Sequence, residues 1–230
     1  MSEGGPFGVR ESRPGPPAPP PPAPAPPPRR STVTWIVGVA VVFAIAYITL
    51  NTLRTEAPGS RGVPAGRPLP PFAAPLATST LEGDANLATK PDQGRQGKRP
   101  ACSVRGPDIV NSCQLAERGP VVIAFTAARS NTCDRQVDVL QKARAQFPDV
   151  QFAVVAIRGS RDDLRALIAR RGWTLPIAYD HDGGVANAYA VAICPTVTFA
   201  YRGGTVQSTS LTLIQGQALR DRIEAIRRGP

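Results

Sequence analysis

Hydrophobic residues fall into three patterns along this chain, and each predicts a different element. Residues 33–50 (VTWIVGVAVVFAIAYITL) form an almost unbroken apolar run, and no charged residue lies between Ser31 and Leu53. Residues 121–126 (VVIAFT) and 151–157 (QFAVVAI) are short, apolar and rich in β-branched side chains, which predicts two buried strands. Elsewhere apolar residues recur every three or four positions. Val137, Leu140 and Phe147 mark a helix over 133–147, and Leu164, Leu167 and Ile168 mark a second one. That second helix opens on Ser160 with Asp163, a capping-box-like start, and Gly172 closes it. A short piece at 176–179 and a small helix near 185–189 follow, then runs at 196–201 and 205–209 around Arg202-Gly203-Gly204. Two runs about a Gly-Gly turn predict a hairpin. Leu219, Ile223 and Ile226 give 217–227 one apolar face, a last amphipathic helix. Strand–helix–strand order makes the first two strands parallel with a right-handed crossover, while the hairpin adds antiparallel strands. The expected class is α/β, a mixed sheet covered by helices on both faces.

The run before this domain is different in kind. It has the ~20 residues needed to cross a bilayer core. Trp35 and Tyr47 stand towards its two ends, where amphipathic rings favour the interface. Thirty residues precede it and no small-residue cleavage site follows at 50–53, so a cleaved signal peptide fits poorly. Residues 31–53 are therefore expected to be an uncleaved transmembrane signal anchor, touching lipid through residues 33–50. Arg29-Arg30 against the run favour a cytoplasmic N-terminus and an extracytoplasmic C-terminal domain, a single-pass protein of the cell membrane. Eleven prolines between Pro14 and Pro28 make 1–30 a proline-rich disordered arm. Residues 54–70, rich in Pro, Gly and Arg, read as a linker, and the domain is drawn at 71–229.

Charge narrows the function. The net charge is +10, but the basic residues are scattered and aromatics are few. Nucleic-acid binding needs a focused basic patch with stacking groups, so no nucleic-acid partner is expected. Arginine in place of lysine (3 Lys in the whole chain) points to a GC-rich genome. A single histidine, His181, in the turn-like Tyr179-Asp180-His181-Asp182-Gly183-Gly184, argues against zinc and His-based catalysis. No metal and no cofactor are expected. The chemistry that is left belongs to Cys102, Cys113, Cys133 and Cys194, which suit an oxidising compartment and allow three pairings that spacing alone leaves open.

The strand 121–126, a short loop and the helix at Cys133 form one half of a signature, and Ile193-Cys194-Pro195-Thr196 before the hairpin forms the other. Together, from about Leu69 to Ile226, they resemble the thioredoxin fold, most nearly the membrane-anchored redoxins of the TlpA/ResA type. That pattern is Phe-Trp-Ala-x-Trp-Cys-x-x-Cys; here it reads Phe125-Thr126-Ala127-Ala128-Arg129-Ser130-Asn131-Thr132-Cys133. The second cysteine is kept and the first is Ser130. The resemblance implies that Pro195 is the cis-proline beside the active-site helix. It also implies that Cys194, just before it, lies near Cys133.

The departure has a chemical cost. The attacking thiolate of the family sits at a helix N-terminus, where unpaired N–H groups and the dipole lower its pKa. A serine hydroxyl cannot exchange with disulfides. Ser130 is instead a good N-cap, its oxygen expected to accept from the N–H of Thr132 or Cys133. A Cys133–Cys194 pair would replace the local pair with a long-range one, either redox-active or a staple worth about 4 kcal/mol. Ser-x-x-Cys also resembles the peroxidatic motif of peroxiredoxins, but the proline seven residues before that cysteine is Thr126 here. Cys102 and Cys113 flank Gly106-Pro107 and the start of a short helix-like piece at 108–117 (DIVNSCQLAE); they match nothing catalytic in the family and read as a structural disulfide, worth about 3 kcal/mol. The leading expectation is thiol–disulfide chemistry on extracytoplasmic protein thiols or disulfides, with Cys133, Cys194, Ser130 and Pro195 as the altered site. A redox-inactive binding module and a one-cysteine peroxidase are its rivals.

Overall fold

The computed structural model describes residues 32–54, 60–127, 130–157 and 159–230, with the side chains of 35–50 in the first helix. The proline-rich arm expected over 1–30 lies outside the described residues, as do 55–59 of the expected linker and the Ala128-Arg129 pair before Ser130. Helix α1 (Thr32–Arg54) covers the uncharged run. It forms one compact unit, and the chain from residue 60 onward belongs to another. Its large apolar side chains, Trp35, Phe43 and Tyr47 among them, are exposed. Among the described residues no helix is long and apolar enough to cross a membrane.

The second unit is built on a five-stranded mixed sheet, in the order β5-β4-β3-β6-β7. Its strands are β3 (Val121–Thr126), β4 (Gln151–Ala156), β5 (Ile177–Tyr179), β6 (Thr196–Ala200) and β7 (Val206–Ser210). β3 is central. It runs parallel to β4 and antiparallel to β6, with Phe125 opposite both Val155 and Thr196. Alternate residues of a strand face opposite ways, so β3 feeds two cores. Val122 and Ala124 join Val137 and Leu140 of α3 (Asn131–Gln146), Leu164 of α4 (Arg161–Arg171) and Ile223 of α6 (Gly216–Arg228). Val121, Ile123 and Phe125 join Ala116 of α2 (Ser112–Arg118) and Val185 of α5 (Gly184–Ala188), with Phe72 and Tyr189. The sheet is therefore covered on both faces.

Local chemistry explains the boundaries. Ser160 Oγ accepts the Asp163 N–H at 3.1 Å and starts α4. Gly172, at φ +63°, ends it in the left-handed conformation that glycine adopts without a side-chain penalty. Two expectations need correction. Residues 108–111, read as part of a helix-like piece, contain a strand: β2 (Ile109–Asn111) pairs with β1 (Ala73–Pro75). The helix starts only at Ser112, because the Asn111 side chain accepts the Gln114 N–H at 3.0 Å and caps it. The ordered domain also begins before residue 71. Arg61 bridges to Val191, Pro68 bridges to Thr205, and Val63 and Leu69 are buried. At φ +77°, Gly62 lies so close to the Thr209 side chain that a Cβ there would collide with it. Proline and glycine that read as linker composition serve here to lay an extended segment against the sheet edge.

Candidate functional site

β3 hands the chain to α3 at the edge where β6 begins, and the redox-capable residues collect there. Cys133 is in the first turn of α3 and is 1% exposed. Cys194 is partly exposed and joined to Pro195 by a cis peptide, with Pro195 buried at the start of β6. The two cysteines are disulfide-bonded, with Cα atoms 5.6 Å apart. Thr196, fully buried, fixes the turn before the bond: its hydroxyl donates to the Ile193 carbonyl at 2.7 Å. The Ile193 side chain itself is 50% exposed.

Ser130 occupies the N-cap of α3 with extended backbone, and its carbonyl accepts the Asp134 N–H at 3.0 Å. Its hydroxyl does not make the expected capping bond to Thr132 or Cys133 N–H. Ser130 Oγ lies 2.9 Å from Cys133 Sγ instead. Side chains on a helix lean towards its N-terminus, so the sulfur at the third helical position reaches back over the cap and takes the hydroxyl. A disulfide sulfur carries no proton, so the hydroxyl is the donor. This contact joins the Ser130 hydroxyl to the sulfur directly.

Beside Cys194 a cavity of about 400 Å³ is lined by Ile157, Asp182, Asn187, Val191, Ile193 and Cys194 among others, and not by Cys133. Asp180 supports its wall. The buried carboxylate accepts from the N–H of Val185 at 3.0 Å and of Ala186 at 2.8 Å, holding the start of α5. Burial pushes its pKa up, against the pull of those two N–H groups. His181 and Asp84 pair at 3.2 Å on the exposed side of the same turn. Cys102 and Cys113 form the other disulfide, with Cα atoms 5.3 Å apart, away from this cavity's lining. Arg105 braces that loop, donating to the Cys102 carbonyl at 3.0 Å and forming a two-pronged pair with Glu117 of α2.

Two groups of site neighbours escaped sequence reasoning. Gln136 reads as a polar position on α3 yet is fully buried, donating to the Ile214 carbonyl at 3.0 Å and accepting its N–H at 2.8 Å. Asp134, next to Cys133, is also buried. One of its oxygens meets Arg171 at 3.2 Å, and the other has no hydrogen-bond partner among the described residues. Burial raises the Asp134 pKa, with Arg171 opposing. Arg171 also reaches Asp138, whose other oxygen accepts the Trp173 indole N–H at 2.7 Å. The one sequence signal was spacing: Asp134 and Asp138, four apart, share a face of α3.

A mixed sheet in this order, a helix starting at the end of its central strand and a cis-proline loop facing that helix define a thioredoxin-like fold. Residues 104–209, which hold Cys133 and Cys194 and leave out Cys102, match the model of the AhpC/TSA family. No curated protein matches the chain. Among solved structures, a Chlorobium tepidum protein assigned as the thiol:disulfide interchange protein DsbE is similar at 18% identity. That match covers 71% of this chain and 98% of the other, with a TM-score of 0.55. A Bacteroides thetaiotaomicron protein assigned as a protein disulfide isomerase is similar at 15% identity over 73% of this chain and 91% of its own, TM-score 0.53. The thioredoxin domain of a Bacteroides vulgatus thiol-disulfide oxidoreductase gives 14% identity, 72% and 99% coverage and a TM-score of 0.52. At these identities the likeness is one of fold. The domain therefore has a thioredoxin-like fold, and residues 104–209 of it match the AhpC/TSA family model.

Proposed function

We propose that this protein exchanges disulfides with extracytoplasmic protein thiols through the Cys133–Cys194 pair, tethered to the cell membrane by residues 31–53 with its N-terminus in the cytoplasm. The observation that carries the redox reading is the pairing of a helix-start cysteine with the cysteine before the cis-proline, one sulfur buried and the other open to a cavity. A two-cysteine site replaces the family's local pair across the same groove, and Ser130 serves Cys133 as a hydroxyl donor. The anchor is supported by the uncharged apolar run 33–50, which is helical, and by exposed aromatic and aliphatic side chains along it. Two disulfides agree with an oxidising compartment. A one-cysteine peroxidase needs a free thiol at Cys133, and its bond to Cys194 speaks against that.

Graded dithiothreitol, followed by alkylation and peptide mapping, tests the redox reading. An exchange-active bond with one accessible sulfur opens under mild reductant, whereas a closed staple resists. Cys133 and Cys194 are expected to be alkylated first, with Cys102 and Cys113 following at higher reductant. If Cys133 and Cys194 stay bonded until the domain unfolds, the pair is structural and the protein is a binding module on a thioredoxin scaffold.

A further inference from the structure

The two sulfurs of the proposed exchange site are unequal in access and in chemistry. An attacking thiolate must approach one sulfur from the open side along the S–S axis, and exchange rates depend on which sulfur can be reached. At 1% exposure Cys133 offers no open side. Cys194 is partly exposed and lines the cavity with Ile157, Val191 and Ile193. The leaving sulfur matters as well, since a thiol of lower pKa leaves faster. Cys133 lies in the first turn of a helix of 16 residues, where the dipole favours an anion, and Ser130 Oγ is 2.9 Å from its sulfur, ready to donate to the thiolate. Access and leaving-group stability therefore select the same direction.

We infer that exchange enters at Cys194, with Cys133 as the leaving sulfur, and that the attacking group is a cysteine thiolate of a protein substrate seated in the cavity beside the Cys194–Pro195 bond. This reverses the family's usual assignment, in which the sulfur at the helix start is the one attacked. It rests on the reading that the Cys133–Cys194 pair exchanges at all. In the first step the substrate thiolate forms a bond to Cys194 Sγ as the Cys133–Cys194 bond breaks, and Cys133 departs as a thiolate held by Ser130. In the second step another thiolate of the same substrate attacks the substrate sulfur of the mixed disulfide and releases Cys194 as a thiolate. The substrate dithiol is oxidised by two electrons to a disulfide, this protein's disulfide is reduced by the same two, and the substrate's two thiol protons pass to solvent or to the released thiolates.

The test uses the full-length wild-type chain in detergent micelles. A short peptide with a single cysteine between two leucines is added as the thiol, the mixture is quenched early with N-ethylmaleimide, and the adducts are mapped by mass spectrometry. The expected product carries the peptide on Cys194 and the maleimide on Cys133, at least tenfold over the reverse. In single-cysteine variants of the pair, checked for fold by circular dichroism, Cys194 in Cys133→Ser should alkylate at least tenfold faster than Cys133 in Cys194→Ser. Peptide found on Cys133, or divided equally, overturns the assignment while leaving exchange intact. If neither cysteine takes the peptide and graded reductant opens the bond only on unfolding, exchange itself fails and the assignment falls with it.

Discussion

At the scale of single residues, the exchange of one atom type governs the site: Ser130 has oxygen where the thioredoxin-like pattern has its first sulfur. Oxygen cannot enter disulfide exchange, so the wild type is expected to reduce insulin disulfides poorly. Ser130 Oγ already lies 2.9 Å from Cys133 Sγ, so a thiol placed there is within reach of a local pair. It would also occupy the helix start, where the thiolate is favoured. Ser130→Cys should therefore gain activity in the insulin turbidity assay, and no gain would mean that the groove, not the missing thiol, limits the reaction. Asp134 gives a second, pH-dependent expectation. Its folded pKa is raised by burial, so in the window between the unfolded value and the folded one the native state binds more protons. Stability from this group is thus present at low pH and lost as pH rises through that window. Asp134→Asn cannot ionise and avoids that loss. Thermal melts should place the variant higher relative to wild type at pH 7.5 than at pH 4, and a difference that is flat with pH would show that Asp134 carries no buried charge.

At the scale of elements, α3 is fastened less by its apolar stripe alone than by one polar side chain. Gln136 pairs with both backbone groups of Ile214, as a strand neighbour would, and so ties α3 to the loop between β7 and α6. Gln136→Leu keeps the volume and leaves a buried N–H and a buried carbonyl without partners, at about 1–3 kcal/mol each. Urea unfolding should show a loss of about 2–6 kcal/mol at an unchanged slope; a loss near zero would mean that water replaces the amide. This contact also marks where sequence reading stops. β3, β4 and the hairpin were legible because β-branched runs and a Gly-Gly turn are local signals, as were Ser160 and Gly172 at the ends of α4. Gln136 was not, since its partner is 78 residues away and a polar side chain gives no local sign of burial. β2 was misread because three residues are too few for a period, and its pairing with β1 is set elsewhere in the chain. Within the domain, arginine was read only as a compositional bias. Arg161 and Arg165 of α4 in fact donate to the carbonyls of Ala77, Ser79 and Leu81 and hold that segment to the helix. Of the site, the cysteine positions and Pro195 were legible from motif; the Ser130 hydroxyl's turn to sulfur was signalled only by the likeness of Ser-x-x-Cys to the peroxidatic motif, because the N-cap role competes for the same oxygen.

At the scale of the whole molecule, disulfide chemistry and membrane topology stand or fall together, because a reducing compartment keeps thiols unpaired. Arg29 and Arg30 lie directly before the uncharged run, and Arg54 follows it after Leu53. The balance of basic residues close to the membrane thus favours the N-terminal side as cytoplasmic, by a margin of one. So narrow a margin makes orientation open to experiment. A protease added to intact cells with permeable envelopes is expected to degrade the C-terminal domain and spare an epitope placed ahead of Pro14. Replacing Arg29 and Arg30 by Asn should weaken that preference, giving a mixed population or an inverted one. Inversion would bring the four cysteines into the reducing side, so alkylation of the unreduced protein should rise in step with the inverted fraction. If the wild-type domain resists protease while the arm is cut, the domain faces the cytoplasm, and an extracytoplasmic role in disulfide exchange is excluded whatever the reactivity of Cys133 and Cys194 in vitro.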